Sequence, residues 1–407
     1  MGFGLSVWFP VDPGNGTGRE FYQEYFLQLL SPVPEWLPGR MVHENGFQIK
    51  LVPFEEDIHG TWENGRLCVS ARTNSAGPGY HAYLVEVLDG LGIAPLEVED
   101  ETGYYESRDF GLLRSAITQW LQGVSAKVLE LSVSGQYSNI AISLSTDTVP
   151  ENTGHLACCQ IGYCEREFFD RAHRGEPLGA DFFVWWNNGR DALFFKNAAL
   201  HLLWCEFNWL PPVTDRERET CAAVLACLTR AQALQPGLEL PGAAWLEVAR
   251  LAGEEALAQT LRSRYGDTDK VRIGYNQGLI SHSIRGWRAT FSGMMHSDMA
   301  QEGPVWWDDT RTIRTRTMEV EWKEGASPDS AALLRDAVGD ADCEPFPLRC
   351  GEITACIQHT LIEEESVPLH LTRLTAAQDN ELLFLFLFYT NPADRDWATD
   401  VCRSVTR

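Results

Sequence analysis

Apolar positions along this chain switch repeatedly between the two-residue period of strands and the 3.6-residue period of helices. Leu5 to Phe9 reads as a strand, and Phe21, Tyr25 and Leu29 then recur at helical spacing from about Arg19 to Leu30, where Pro32, Pro34 and Pro38 stop the run. Strands follow at Phe47 to Pro53 and Leu67 to Thr73. Tyr80, Tyr83, Leu84, Val87, Leu88 and Leu91 share one face of a helix beginning at Pro78, and a second helix is expected from Phe110 to Leu121. Val128 to Ser134 and Asn139 to Ser145, joined through Gly135, predict a hairpin, with a further strand near Leu156 to Ile161.

The middle of the chain is helical. One core helix is expected from Asp191 to Leu210, ended by Pro211 and Pro212, then helices at Asp215 to Leu234, Ala243 to Leu251 and Glu254 to Tyr265, separated by turns with Gly237, Pro241 and Gly253. Strands return at Val271 to Tyr275, Arg285 to Met294, Thr312 to Lys323, Glu352 to Ile362 and Glu381 to Tyr389, with helices near Pro328 to Val338 and Pro392 to Ser404. Leu382 to Tyr389 is nearly all apolar, the mark of a central strand covered on both faces. Thr312, Arg314 and Arg316 alternate with Ile313, Thr315 and Thr317, so that strand should show water one face. The pattern as a whole is α+β: two mixed-sheet α+β domains, residues 1–212 and 267–407, joined by a helical connector at 213–266. The 407 residues exceed what one hydrophobic core usually organises. The runs from Val184 to Arg190 and from Val305 to Arg311 share Val-Trp-Trp, two Asx residues and an Arg. A helix is expected after the first and a strand after the second, which favours two similar Asx turns over a duplicated domain.

Charge narrows the function classes. Fifty-seven acidic against thirty-three basic residues give a net charge of −24, which repels nucleic acid and anionic lipid. Residues 298 to 365 alone hold sixteen acids against six bases, and that stretch could face a basic partner. The opening MGFGLSVWFPVDP has no basic n-region and no apolar stretch of signal-peptide length. Lys196, Asn197, His201 and Glu206 interrupt the most apolar helix, which reads as core and not as a membrane span. A cytoplasmic protein is expected, of bacterial source by its arginine bias, since only five of its basic residues are lysine. Eleven cysteines without regular spacing suggest reduced, buried thiols.

The sharpest candidate for chemistry is the strand-turn-helix from Arg72 to His81. Gly77 and Gly79 allow backbone angles closed to other residues, Pro78 suits a first helical turn, and the helix start offers free N–H groups that attract anions. Asn74 and Ser75 add donors, Arg72 a positive charge and His81 an acid or base, so the turn could hold a phosphate or carboxylate. It matches neither the P-loop nor the three-glycine dinucleotide pattern, and no cofactor is implied. A second candidate is the basic run around His282, Arg285 and Arg288, with Trp287 beside it. Cys158, Cys159 and Cys164 near His155 and His173 read as inert thiols. Cys343, Cys350, Cys356 and His359 have the wrong spacing for zinc, and no metal site is expected.

These features favour a noncatalytic interaction protein: an inhibitor, immunity-type antidote or accessory scaffold with an acidic surface and many Trp residues. The alternative is an enzyme or sensor holding a small anion at residues 72–81, with His81 as the acid or base. The expected partner is a protein, basic if the acidic segment is what it meets.

Overall fold

A computed structural model describes residues 3–12, 18–28, 39–43, 45–134, 140–144, 154–266, 272–321, 329–339, 344–348, 353–364 and 367–407. It is an α+β protein with several sheets, and it divides into two compact units. The first comprises Met1–Leu144, Asn152–Phe207 and Asp215–Gly274; the second comprises Ser145–Glu151, Asn208–Thr214 and Tyr275–Arg407. No helix among the described residues is long and apolar enough to cross a membrane.

The first unit opens with β1 (Gly4–Pro10), α1 (Arg19–Gln28), β2 (Gly39–His43), β3 (Gly46–Lys50), β4 (Ile58–Glu63), β5 (Arg66–Arg72), α2 (Pro78–Asp89) and β6 (Glu97–Asp100). The strands form one antiparallel sheet in the order β2-β3-β4-β5-β1-β6. Alternation in β1 puts Leu5, Val7 and Phe9 inside. On that core lies α1, with Tyr22 6.2 Å from Phe9 and Phe26 4.8 Å from Phe47 between ring centroids. Each such aromatic or aliphatic side chain contributes about 1.5–3 kcal/mol by leaving water.

The expected hairpin at Val128 to Ser145 is not formed. After α3 (Tyr104–Ser107), one helix, α4 (Phe110–Ser134), runs straight through its first strand. Leu113, Ile117, Leu121, Ser125 and Val128 are all buried on one stripe, so the helical period established at 110 outweighs the local alternation at 128. Short strands β7 (Ile140–Ala141), β8 (Ala157–Cys159) and β9 (Gly162–Cys164) make a three-stranded sheet, followed by α5 (Arg166–His173).

The expected core helix at Asp191 to Leu210 is likewise modified. Asp191 caps α6 (Ala192–His201) by accepting the Phe194 N–H at 2.9 Å, and the helix then widens into a π-turn over Leu202–Glu206, where the Phe207 N–H reaches the Leu202 carbonyl at 2.9 Å. Three further helices complete the unit: α7 (Asp215–Leu234), α8 (Gly242–Leu251) and α9 (Glu255–Tyr265).

In the second unit, the single strand expected at Arg285 to Met294 is a hairpin, β10 (Leu279–Ile284) and β11 (Trp287–Ser292). Arg285 and Gly286 turn it with φ of 47° and 89°, the positive angles of a tight two-residue loop. The strand expected at Val271 to Tyr275 is absent among its described residues; Tyr275–Gln277 is a 3₁₀ turn. Then come β12 (His296–Met299), β13 (Pro304–Trp307), β14 (Arg311–Glu319), α10 (Ser330–Val338), β15 (Glu344–Pro345), β16 (Thr354–Glu364), β17 (Val367–Gln378), β18 (Glu381–Tyr389) and α11 (Arg395–Arg403).

These strands form an antiparallel sheet in the order β12-β13-β14-β18-β17-β16-β15. Apolar β18 is internal and feeds two cores, as its pattern predicts. Leu383, Leu385, Leu387 and Tyr389 pack with Ala398, Val401 and Cys402 of α11 on one face. Leu382 and Phe384 pack with Leu333 and Leu334 of α10 on the other. The Val-Trp-Trp echo diverges: Val184 to Arg190 leads irregularly into α6, whereas Val305 to Arg311 ends β13 and starts β14.

Candidate functional site

The donors of the turn from Arg72 to His81 are taken by the protein's own Glu55. Its carboxylate accepts hydrogen bonds from the backbone N–H of Ala76 at 2.7 Å and of Glu56 at 3.1 Å, and bonds Ser75 as well. Burial pushes the Glu55 acid up to about 7, and those hydrogen bonds only partly oppose it. Trp185 closes the rest of the turn. Its N–H donates to the Ala76 carbonyl at 2.8 Å, and its carbonyl accepts from the Gly79 N–H at 2.9 Å. Gly77, at φ 108°, and Gly79 leave no room for a Cβ, because the Trp185 backbone and indole lie against them. Asn74 is buried, while Arg72 extends into solvent 3.5 Å from Glu56. The predicted residues therefore do not converge on open space.

His81 is wholly buried and joins three elements. Its Nδ1 lies 2.8 Å from the Thr73 hydroxyl, and its Nε2 lies 3.4 Å from Asp100 Oδ2 and 3.2 Å from the Thr102 hydroxyl. Burial alone would raise the Asp100 acid, but His81, the Tyr105 N–H at 2.7 Å and Thr102 outweigh it and hold the group well below the usual carboxylate range. Hydroxyl, imidazole and carboxylate stand in the order used for nucleophilic catalysis. Thr73 is also fully buried, so in this conformation the trio fastens α2 to the ends of β5 and β6.

The second predicted site is divided by strand register. His282 pairs with Ala289 on the face that carries Ile280 and Ile284, and its ring stacks 3.7 Å from Phe291. Burial pushes its imidazole down to about 4. Arg288 pairs with Ser283 on the opposite face, and Arg285 sits exposed in the turn.

Cysteine chemistry is also more structured than expected. The Cys164 thiol donates to the Cys159 sulfur at 3.6 Å, which lowers the Cys159 thiol and raises that of Cys164. Burial pushes Cys158 up to about 12. His155 turns to Glu165, 2.5 Å away, and stacks on Tyr163. Eight described cysteines form no disulfide, but Cys356 is disulfide-bonded, which corrects the expectation of reduced thiols there; Cys343 and Cys350 lie outside the described residues. His359 lies 2.9 Å from the Thr372 hydroxyl, and no group of metal-ligating side chains is assembled among the described residues.

Two places were not singled out in the sequence. One is a cleft of about 220 Å³ lined by Lys50, Leu202, Glu206, Arg216, Glu219 and Thr220, where Arg216 reaches Glu206 at 2.8 Å. The π-turn supplies two of its walls, and His201, just before that turn, is buried with no hydrogen-bond partner at either nitrogen. π-turns often mark functional sites, and neither that geometry nor the cleft has a local sequence signal.

The other is the exposed part of the sheet in the second unit. Pairing sets Arg314 beside Phe386 and Phe386 beside Arg373 in one row, with Arg316 beside Phe384 and Thr312 beside Phe388 in the flanking rows. Arg314 lies over Phe388 at 5.7 Å, and Arg373 over Phe384 at 5.4 Å and Phe386 at 5.8 Å. Arg314 and Arg316 are exposed; Phe386, Phe388 and Arg373 are half-buried, with Arg373 Nε enclosed and unpartnered. Other arginines of this unit find carboxylates: Arg311 with Asp394, Arg403 with Asp400, Arg407 with Glu381. Arg314, Arg316 and Arg373 pair with none among the described residues.

No protein-family model and no curated protein matches the chain. Among solved structures, one from Bacteroides thetaiotaomicron VPI-5482 aligns with a TM-score of 0.27 and 9% identity over 32% of this chain and 48% of that one. The cyanobacterial PsbP protein CyanoP from Synechocystis sp. PCC 6803 aligns with a TM-score of 0.17 and 12% identity over 35% of this chain and 98% of that one. The chain thus spans about half of the first protein's length. Likeness at this level assigns neither fold nor function.

Proposed function

We propose that the chain is a noncatalytic protein–protein interaction protein of a bacterial cytoplasm, of the inhibitor, immunity-antidote or scaffold kind. The observation that carries this reading is the row Arg314, Phe386, Arg373: arginine and aromatic side chains side by side on the sheet face that α10 covers only in part. Small-molecule sites are concave and bury most of their ligand, whereas arginine and aromatic side chains are the residue types enriched at protein interfaces. The alternative, a small anion at residues 72–81, requires that anion to displace Glu55 from the Ala76 N–H. The test is cross-linking of the tagged full chain in a nuclease-treated bacterial lysate, with light scattering of what is recovered. A protein held at about one-to-one through purification is the expected result. Recovery of no protein, together with stabilisation and turnover of a small phosphate or carboxylate compound, would sink the reading.

A further inference from the structure

Arg314, Arg316 and Arg373 give the sheet face beside α10 a local charge opposite in sign to that of the chain, against the one carboxylate Asp298 two strands away in the row of Arg314, and this points to the partner's chemistry. Building on the interaction reading above, we propose that this face binds an extended acidic segment of a partner protein. Its carboxylates, carried at alternate positions of the segment, meet Arg314, Arg316 and Arg373.

Geometry supports an extended occupant. Arg314 and Arg316 are two residues apart on β14, so their side chains leave the sheet about 6.6–6.8 Å apart, the same interval that separates alternate side chains of any extended peptide. Arg373 stands on β17, one strand beyond β18, about 9.6 Å across the sheet from Arg314. Carboxylates at alternate positions of a peptide laid along β14 meet the first two arginines, and a third approaches from the side of Arg373. Stacking over the Phe rings occupies one face of each guanidinium on Arg314 and Arg373 and leaves edge N–H groups to fork a carboxylate.

Magnitudes separate a peptide from a polyanion. A nucleic acid brings a charge at every phosphate against a net −24, and the two repel before contact. A short acidic segment carries few charges, and with a screening length of about 8 Å at physiological salt the nearby guanidinium groups dominate what it feels. A lysine-rich partner, by contrast, would place like charges against this face.

The test is fluorescence anisotropy of the full-length chain with three labelled probes: a ten-residue peptide alternating Glu and Val, one alternating Lys and Val, and a ten-nucleotide oligo-dT. The Glu-Val peptide is expected to bind saturably and to weaken from 0.15 to 0.5 M salt. Arg314→Ala and Arg316→Ala should each weaken it about tenfold, as loss of a hydrogen bond to a charged group implies. Both side chains are exposed, so unchanged melting temperatures separate this effect from misfolding. Arg314→Lys, which keeps the charge but loses the fork and the stack, should also bind more weakly. The assignment is overturned if oligo-dT or the Lys-Val peptide binds as tightly as the Glu-Val peptide, if the Glu-Val peptide does not bind, or if the arginine variants bind it unchanged. A captured protein partner held equally well by those variants would sink this assignment and leave the interaction reading standing.

Discussion

Glu55 and Ala76 are joined across twenty-one residues by a 2.7 Å hydrogen bond from a backbone N–H to a carboxylate. That contact turns a helix entrance suited to binding an external anion into a closed internal junction. It also places an acid that titrates near neutrality inside the fold.

The first prediction concerns that acid. An acid raised to about 7 in the folded state, from an ordinary value near 4.5, keeps its proton where the unfolded chain has lost it. The resulting stability is fully present below the unfolded value and is lost as pH rises through 7. Glu55→Gln keeps an acceptor for the Ala76 N–H and removes the ionisation. It should leave the melting temperature little changed near pH 5 and raise it above pH 7.5, by up to about 3 kcal/mol of stability. A constant difference between the two proteins from pH 5 to 8.5 would show that Glu55 does not titrate this way.

Gly79→Ala probes the packing at the same junction. The added Cβ would meet the Trp185 indole and the Asn187 carbonyl, and neither is the yielding end of a flexible side chain. Overpacking of this kind costs about 1–3 kcal/mol. Gly92, where a Cβ meets nothing but φ is 69°, is a control for backbone strain without a clash. Denaturant titration should rank Gly79→Ala as the more damaging substitution.

How much of this was legible follows from where each signal resides. Gly77, Pro78 and Gly79 announce a helix start in adjacent residues, and a helix starts there. That its donors would be filled by Glu55 depends on a contact set by the tertiary fold, beyond any local pattern. The strand β17 was missed because Thr372 and Thr375 are buried in it, so polar residues stand where alternation calls for apolar ones; Thr372 is satisfied by His359 at 2.9 Å and Tyr389 at 3.1 Å. Alternation along β14 marks Arg314 and Arg316 as a solvent-facing stripe, and both are exposed. Their alignment with Phe386 and Arg373 comes from the register of three strands, two of which lie more than fifty residues farther along the chain.

Asp100→Asn tests the fastening around His81. The carboxylate collects the Thr102 N–H and hydroxyl, the Tyr105 N–H and His81, and the amide cannot accept all of them. Loss of a buried, charge-assisted network of this kind costs about 2–3 kcal/mol. A depressed acid contributes stability above its unfolded value that is lost as pH falls. The variant should therefore differ most from the native chain near neutral pH, and the gap should begin to close only as pH falls below about 4, where the unfolded chain takes up its proton. Equal melting temperatures at pH 7 would show that the network carries no net stability.

For His201 the difference between variant and native chain opens towards acid pH instead. Burial pushes its imidazole down to about 4 from 6.5, with Glu206 and the Gln160 carbonyl pulling weakly the other way, and neither ring nitrogen has a hydrogen-bond partner. Between those two values the unfolded chain binds a proton that the folded chain refuses, so stability is lost as pH falls through that window. His201→Leu removes two unsatisfied polar atoms and the titration together, at the cost of an edge-on contact 5.7 Å from Phe54. At pH 8, where the histidine is neutral in both states, the variant should fall within about 1 kcal/mol of the native chain. At pH 5 the avoided protonation is worth about 2 kcal/mol, and the variant should be the more stable of the two. Parallel denaturant titrations at those pH values decide the matter: a gap that does not widen towards acid pH means that His201 is protonated in the folded protein.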